Sequence, residues 1–361
     1  MFRNYIKVAL RNLFRNRSHS TLNILGLSAG LACAILILLY VQSEVTYDQY
    51  HTDKDRIYRL GSNFTLNEGT EDRFAISSVF IGPMLAEEFD GIESVCRLRF
   101  IPKIKARFEE ENHYEENLLW ADSTAFDFFT TDFIYGNPDT CLVHPNSIVL
   151  SETTARKYFG DRNPIGDTLT TSNRYKYAVT GVFKDLPKST HHHFDGLLSY
   201  STIDSFNYDS ERGITEEQVV QLRLWSVRDY TFLKFKEGRT PEELMAYFPT
   251  FFDKYMVSVG TQISGEDNFQ ASFVPILEPL PSIHLYSHLA ADHFIQGNPT
   301  YIYAFSVIGF FILILAGINY VNMTTARSVT RTREVGLRKV LGSRQRHLVF
   351  QFLGESLMLS I

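Results

Sequence analysis

The sequence predicts an α+β membrane protein in which transmembrane helices flank a large extracytoplasmic mixed α/β domain with a small β-rich insertion. Three observations lead there. Two long runs, Thr21–Ser43 and Phe294–Ala326, contain no Asp, Glu, Lys or Arg, and each exceeds the about 20 apolar residues that cross a bilayer core. Charge is strongly partitioned. Arg3, Lys7, Arg11, Arg15 and Arg17 precede the first run, and Arg327, Arg331, Arg333, Arg338, Lys339, Arg344 and Arg346 follow the second. These twelve cations leave 23 of the 35 for the middle segment, which holds 39 of the 41 acids and so carries a net charge of −16. The positive-inside rule puts both basic flanks in the cytoplasm and the middle segment outside. Within that segment, period-2 and period-3.6 apolar patterns alternate, as a mixed α/β domain requires.

Residues 1–20 form a cytoplasmic juxtamembrane segment. Arg3, Lys7, Arg11 and Arg15 recur every four residues opposite Phe2, Ile6, Ala9, Leu10 and Leu13, the pattern of a helix lying in the headgroup layer with its cations on anionic lipid. An unstructured basic flank is the plainer reading. The first transmembrane helix occupies 21–43. Its apolar run is too long for a signal-peptide core, and no A-x-A-type cleavage site follows. Gly26 and Gly30, spaced four apart with Ala34 next on the same face, would let another helix approach closely. The outer domain spans 44–297.

Strands are expected at Arg56–Gly61 and Val95–Ile104 with an amphipathic helix at Val79–Phe89 between them. The β-rich insertion covers about 146–200. It opens with Ser147–Leu150 and continues into a short helix that Ser151 caps and Gly160 ends. Tyr175–Phe183 (YKYAVTGVF) follows as a strand. Trp225–Lys236 reads as a further strand, and Pro241 opens a helix at its first turn. The second transmembrane helix occupies 298–325, with Gly309 and Gly317 placed for packing. Asn319 and Asn322 sit near its cytoplasmic end, where an amide either snorkels to the interface or hydrogen-bonds a partner helix. A basic cytoplasmic loop, 326–347, holds Arg333, Glu334, Val335, Gly336, Leu337, Arg338 and Lys339. Its apolar residues among cations suit a groove on another protein. A third span begins at 348–361.

Catalytic chemistry has little support. His191, His192 and His193 are consecutive, so their side chains splay and rarely converge on one ion. A polar turn with one hydrogen-bonded imidazole fits better, and neither a metal nor a cofactor is expected. Acidic runs such as Glu109-Glu110-Glu111 and Glu115-Glu116 read as solvated loops. The chain holds neither a G-x-S-x-G elbow nor a G-x-x-x-x-G-K-[ST] phosphate loop, so nucleotide phosphates have no such cradle here. The acidic outer surface argues against nucleic acid. Cys96 and Cys141 lie outside, where an oxidising compartment permits a bridge; two buried thiols fit as well.

With these residues on the page, the chain resembles the permease subunits of MacB/FtsX-type ABC transporters, which include the lipoprotein-releasing permeases, in the form found in Bacteroidetes. The resemblance is carried by Asn4–Leu13, the Asn23–Gly30 lead-in to the first span, Ala121-Asp122-Ser123, the Ser151–Gly160 block, Asn163-Pro164-Ile165-Gly166, Val179-Thr180-Gly181-Val182 and Ile283-His284-Leu285. The Arg333–Gly342 stretch, REVGLRKVLG, is the most specific part. Together these cover essentially the whole chain, as its N-terminal portion of a longer permease with further membrane helices.

The resemblance implies a porter-like (MacB-like) periplasmic core domain and a multi-pass protein of the bacterial inner membrane. The protein itself would not be an enzyme. A separate or fused ABC-type ATPase would dock on Arg333 to Lys339, and its motion would pass through a stalk containing Asn319 and Asn322 to the outer domain. A second permease copy, in a homo- or heterodimer, and a periplasmic adaptor complete the implied partners, with membrane lipid around the helices. Efflux and lipoprotein or peptide handling all fit. The alternative is a two-span membrane sensor with an extracytoplasmic ligand-binding domain.

Overall fold

The computed structural model describes residues 17–66, 71–108, 111–171, 174–203, 224, 226–264, 271–340 and 349. The N-terminal amphipathic pattern and, apart from Val349, the start of the third span lie outside these residues. The chain divides into two compact units, one formed by 1–45 with 298–361 and the other by Thr46–Gly297.

Among the described residues the first unit holds two long helices, α1 (Arg17–Val45) and a second, Pro299–Val340. Each carries a membrane-grade stretch, Ile24–Val45 and Pro299–Asn322, and both stretches are almost wholly exposed. A soluble protein would bury helices this apolar, so the medium that covers them is lipid. The chain is a membrane protein with an extracellular domain. The second helix does not stop at 325. It runs 42 residues to Val340, so residues 326–340 continue the helix where a loop was expected. No proline follows Pro299 in it, and one glycine such as Gly336 costs only about 1 kcal/mol in a helix interior.

The second unit is a single mixed sheet, 14-stranded among the described residues, with helices on it. In chain order its elements are β1 (Ile57–Leu66), β2 (Glu71–Phe74), β3 (Ser77–Ser78), α2 (Ile81–Glu88), β4 (Ile92–Phe100), β5 (Ile104–Phe108), β6 (Glu111–Glu115), β7 (Leu118–Ala121), α3 (Ala125–Phe128), β8 (Phe133–Tyr135), β9 (Ser147–Ser151), α4 (Glu152–Phe159), β10 (Thr168–Thr171), β11 (Tyr175–Phe183), β12 (Gly196–Ser199), β13 (Val227–Phe235), α5 (Pro241–Ser264), β14 (Ala271–Pro279) and α6 (Ile283–Tyr286). The helix Pro299–Val340 is therefore α7. The strand order is β14-β1-β13-β4-β7-β12-β9-β11-β10-β5-β6, with β2 beside β1, β3 beside β13 and β8 beside β11. Among the described residues the parallel strand pairs are β9–β11 and β7–β12.

Local chemistry explains the elements. Ser151 leaves β9 extended and its Oγ accepts the Thr154 N–H at 3.3 Å, capping α4. Gly160 ends that helix at φ +65°, a conformation open to glycine without strain. The amphipathic α2 and α5 cover one apolar cluster through Ile81, Leu85, Leu244, Phe248, Phe251 and Met256. α4 covers another through Ala155, Tyr158 and Phe159. Between them, a polar ladder ties β4 to its neighbours. Arg97 chelates Asp122 at 2.8 Å, Arg99 chelates Asp229 at 2.6 Å, and the Tyr200 ring lies 4.0 Å beneath the Arg97 guanidinium.

The β-rich lobe draws on residues before 146 as well as on 146–200. The β5–β6 hairpin joins it through β10, by Thr170 opposite Arg107. Glu115 is not a solvated loop acid. It is buried in β6, where Tyr158 donates to it and Lys157 pairs with it at 2.7 Å. Its neighbour Glu116 is exposed and pairs with Lys103 at 2.6 Å. The two differ because Glu115 is the last residue of β6, whereas Glu116 lies in the bend that follows it.

Candidate functional site

Three of the four glycines singled out for helix packing, Gly26, Gly30 and Gly309, sit where α1 and α7 meet. A Cβ on Gly26 would come within 2.9 Å of the Asn319 side-chain nitrogen, and one on Gly30 within 2.8 Å of the Ala316 Cβ. A Cβ on Gly309 would lie 3.1 Å from Ile37. Tyr40 and Phe305 meet edge-on at 5.4 Å. As positions rise along α1 they fall along α7, so the two helices run antiparallel. The three glycines remove side-chain bulk along one seam, which lets apolar backbones approach where no hydrophobic driving force acts between helices. Gly317 has nothing within 4 Å of its added Cβ and takes no part in this seam. Asn319 is half-buried against Gly26, whereas Asn322 is exposed. The two amides therefore have different surroundings.

Arg333, Glu334, Val335, Gly336, Leu337, Arg338 and Lys339 all lie on the continuous helix α7; the structure describes their backbone. Gly342 lies outside the described residues.

In the outer domain the histidine triplet is not a surface turn. His191 and His192 are buried, and only His193 reaches solvent, 3.6 Å from Asp195. Among the described residues no three His, Cys, Asp or Glu side chains converge as a metal site. His191 lies beside a buried ion pair that sequence reading missed. Arg59 of β1 donates to Glu278, its partner across the β1–β14 ladder, at 2.7 Å, to Asp292 at 2.7 Å and to Ser287 at 2.6 Å. The His191 Nε2 stands 3.4 Å from Asp292 Oδ2. Burial would raise the Asp292 carboxyl, but His191 and the Arg59 guanidinium outweigh it and hold that group well below the usual carboxylate range. No local motif signals this cluster: Arg59 comes from β1, and its partners from β14 and the segment before α7 lie more than 200 residues further on. Cys96 and Cys141 are both free and buried. Burial pushes the Cys96 thiol well up and Cys141 to about 12.

A cleft of the outer domain, about 600 Å³, is lined by Asp53, Glu93, Asp127, Lys234 and neighbouring threonines. Its buried cation, Lys234, is already engaged by Asp53 at 2.6 Å and Glu93 at 3.3 Å.

Comparison with known proteins fixes the family. Residues 20–250 match the MacB-like periplasmic core domain, and residues 306–361 match the FtsX-like permease C-terminal domain. The chain belongs to the MacB/FtsX-type ABC transporter permeases. This permease is 22% identical over 375 residues to the macrolide export ATP-binding/permease protein MacB of Chlorobium luteolum. That alignment takes in the whole chain and 50% of the relative, so the permease spans about half the length of the MacB protein it matches. It is also 22% identical over 385 residues to the ABC transporter permease YknZ of Bacillus subtilis, covering 99% of the chain and 82% of YknZ. Among solved structures, a domain of a permease protein from Porphyromonas gingivalis superposes with a TM-score of 0.52 at 22% identity. It covers 63% of this chain and 91% of that one, a likeness of fold. The FtsX-like match over α7 and the residues beyond it leaves the two-span sensor without support.

Proposed function

We propose that this permease carries ATP-driven motion of an ABC-type ATPase across the bacterial inner membrane to its periplasmic domain, in efflux or in lipoprotein or peptide handling. The observation that carries this reading is the continuity of α7. One helix of 42 residues holds the Gly309 seam, Asn319, Asn322 and the whole Arg333–Lys339 stretch. At 1.5 Å per residue it is about 63 Å long, more than twice the about 30 Å of a bilayer core. A push at its basic end is thereby delivered without an intervening hinge to the packing seam with α1.

The chain supplies no phosphate loop, so hydrolysis is assigned to an ATPase subunit or domain that contacts residues 333–339. Cations with Val335 and Leu337 among them supply apolar anchors within a charged rim. A second permease copy is needed to present two such segments to an ATPase pair, and a periplasmic adaptor would extend the outer domain.

Charge reversal tests the assignment. Glu334→Lys with Arg338→Glu and Lys339→Glu should lower copurification of the ATPase with the membrane-extracted permease at least tenfold, while the outer domain keeps its melting temperature. Undiminished copurification would remove residues 333–339 from the interface.

A further inference from the structure

The loop of residues 189–192 bridges the two segments through which the outer domain is chained to its membrane helices. On one side the His191 N–H donates to Asp48 Oδ1 at 3.1 Å, and Ser189 O accepts the Asp48 N–H at 2.9 Å. Asp48 lies three residues after α1 and holds φ +55°, strained for a residue with a Cβ. On the other side His191 faces Asp292, and the His192 ring packs 4.8 Å from Phe294. Both contacts fall in the stretch that leads to Pro299.

His192 is 1% exposed, and neither ring nitrogen has a hydrogen-bond partner among the described residues. It sits edge-on to Phe232 at 4.9 Å and near Phe129 at 6.2 Å. A buried polar group without a partner is costly, and a charge there is costlier. We propose that His192 is a proton-sensitive latch: while neutral it locks residues 47–51 and 284–295 onto the core of the outer domain, and on taking up a proton it releases them.

Every titratable or charged group facing the site bears on the outcome. Arg59 from β1 repels an imidazolium, as do charged forms of His191 and His51. Asp292 attracts one, but it is already engaged by Arg59 at 2.7 Å, and the Arg59 charge is shared with Glu278. Asp48 lies 3.5 Å from the His51 Nε2. The His51 Nδ1 accepts the Thr130 N–H at 3.0 Å, which places that ring's neutral-form proton on Nε2. His284 is stacked on Tyr47 at 3.4 Å, and His293 on Phe100 at 4.6 Å. Tyr230 spends its hydroxyl on Ala291 O and the His293 N–H. His191 lies 3.4 Å from Asp292; His192 has no carboxylate of its own among the described residues.

Burial pushes the His192 imidazole well below its usual 6.5, and His191 and Arg59 add to the effect. With the locked-state pKa below that of the released state, the latch is fully closed above about pH 6.5 and weakens as pH falls from there toward the depressed value. One histidine changes the closed-to-open ratio by up to tenfold per pH unit.

Hydrogen exchange on the full chain in lipid nanodiscs, at about pH 7.5 and about pH 5.5 and normalised for intrinsic exchange, reads this directly. Protection of 47–51 and 284–295 should fall about tenfold at the lower pH, while β11 holds. His192→Phe, which keeps an aromatic ring in the pocket, should retain protection and lose its pH dependence. Equal wild-type protection at both pH values, or an unchanged pH response in the variant, would overturn the latch. If that variant does not fold, titration of the wild-type His192 ring by NMR decides instead. A value at or above 6.5 refutes the proposal, and a value well below it, accompanied by the loss of protection, upholds it.

Discussion

Replacing Arg59 with methionine tests how the outer domain holds the segment that leads to α7. Arg59 is fully buried and Asp292 is 1% exposed, whereas Glu278 keeps 15% of its side-chain surface. Arg59→Met preserves most of the side-chain length but strands the Asp292 carboxylate in the interior. Glu278 can turn toward water, so the Asp292 half dominates. Removing one partner of a buried pair costs about 3–5 kcal/mol, chiefly from the charge left behind. For a domain of this size, each kcal/mol moves the midpoint by roughly 2–4 °C, so calorimetry of the full chain should show the outer-domain transition roughly 6–20 °C lower.

The pH dependence should change as well. In the native protein the depressed Asp292 pKa gives stability that is present above about pH 3.8 and lost as pH falls through the folded value. Without Arg59 the carboxyl is free to protonate at higher pH, so the deficit should narrow on mild acidification. Adding Asp292→Asn to Arg59→Met should recover at least half of the loss, because the stranded charge is gone. A single variant within about 1 kcal/mol of wild type, or a double variant no better than the single, would refute the reasoning.

Two further outcomes follow from the geometry. Crosslinking of Tyr40→Cys to Phe305→Cys by a short bifunctional thiol reagent should proceed readily in membranes, because the native rings meet at 5.4 Å. Its yield should drop several-fold when Gly30→Leu drives a side chain against Ala316, and it should not change with Gly317→Leu, which has open space. Maleimide should leave Cys96 and Cys141 unmodified in the native protein and label both after unfolding, with no mobility change on reduction, since both are free, buried thiols whose pKa burial raises.

The elements that could be read from sequence are those written by local physics. The two charge-free runs, the Ser151 cap, the Gly160 stop and the Tyr175–Phe183 alternation each depend on neighbours within a few residues. β7 and β12 were missed because four residues, LLWA and GLLS, give too short a pattern, and their parallel pairing joins positions 78 apart. β5 and β6 were missed because their charged alternation looks like a solvated loop until Glu115 finds Lys157 and Tyr158.

The candidate site divides the same way. Gly26, Gly30 and Gly309 could be picked out because small residues in an apolar helix have few other uses. Gly317 could not be separated from them without the rotation of α7 about its axis. The burial of His191 and His192 was hidden because what encloses them, Phe129, Phe232 and Phe294, comes from three distant segments.

The central claim, that residues 333–339 touch an ATPase, is tested most directly by a photo-crosslinking amino acid placed in turn at each position from Arg333 to Lys339 in the membrane-embedded complex. The account predicts an adduct with the mass of permease plus ATPase at positions three or four apart, the spacing of one face of a helix, and none from a control position at Gly317. No ATPase adduct at any of these positions, with the complex intact, would contradict it.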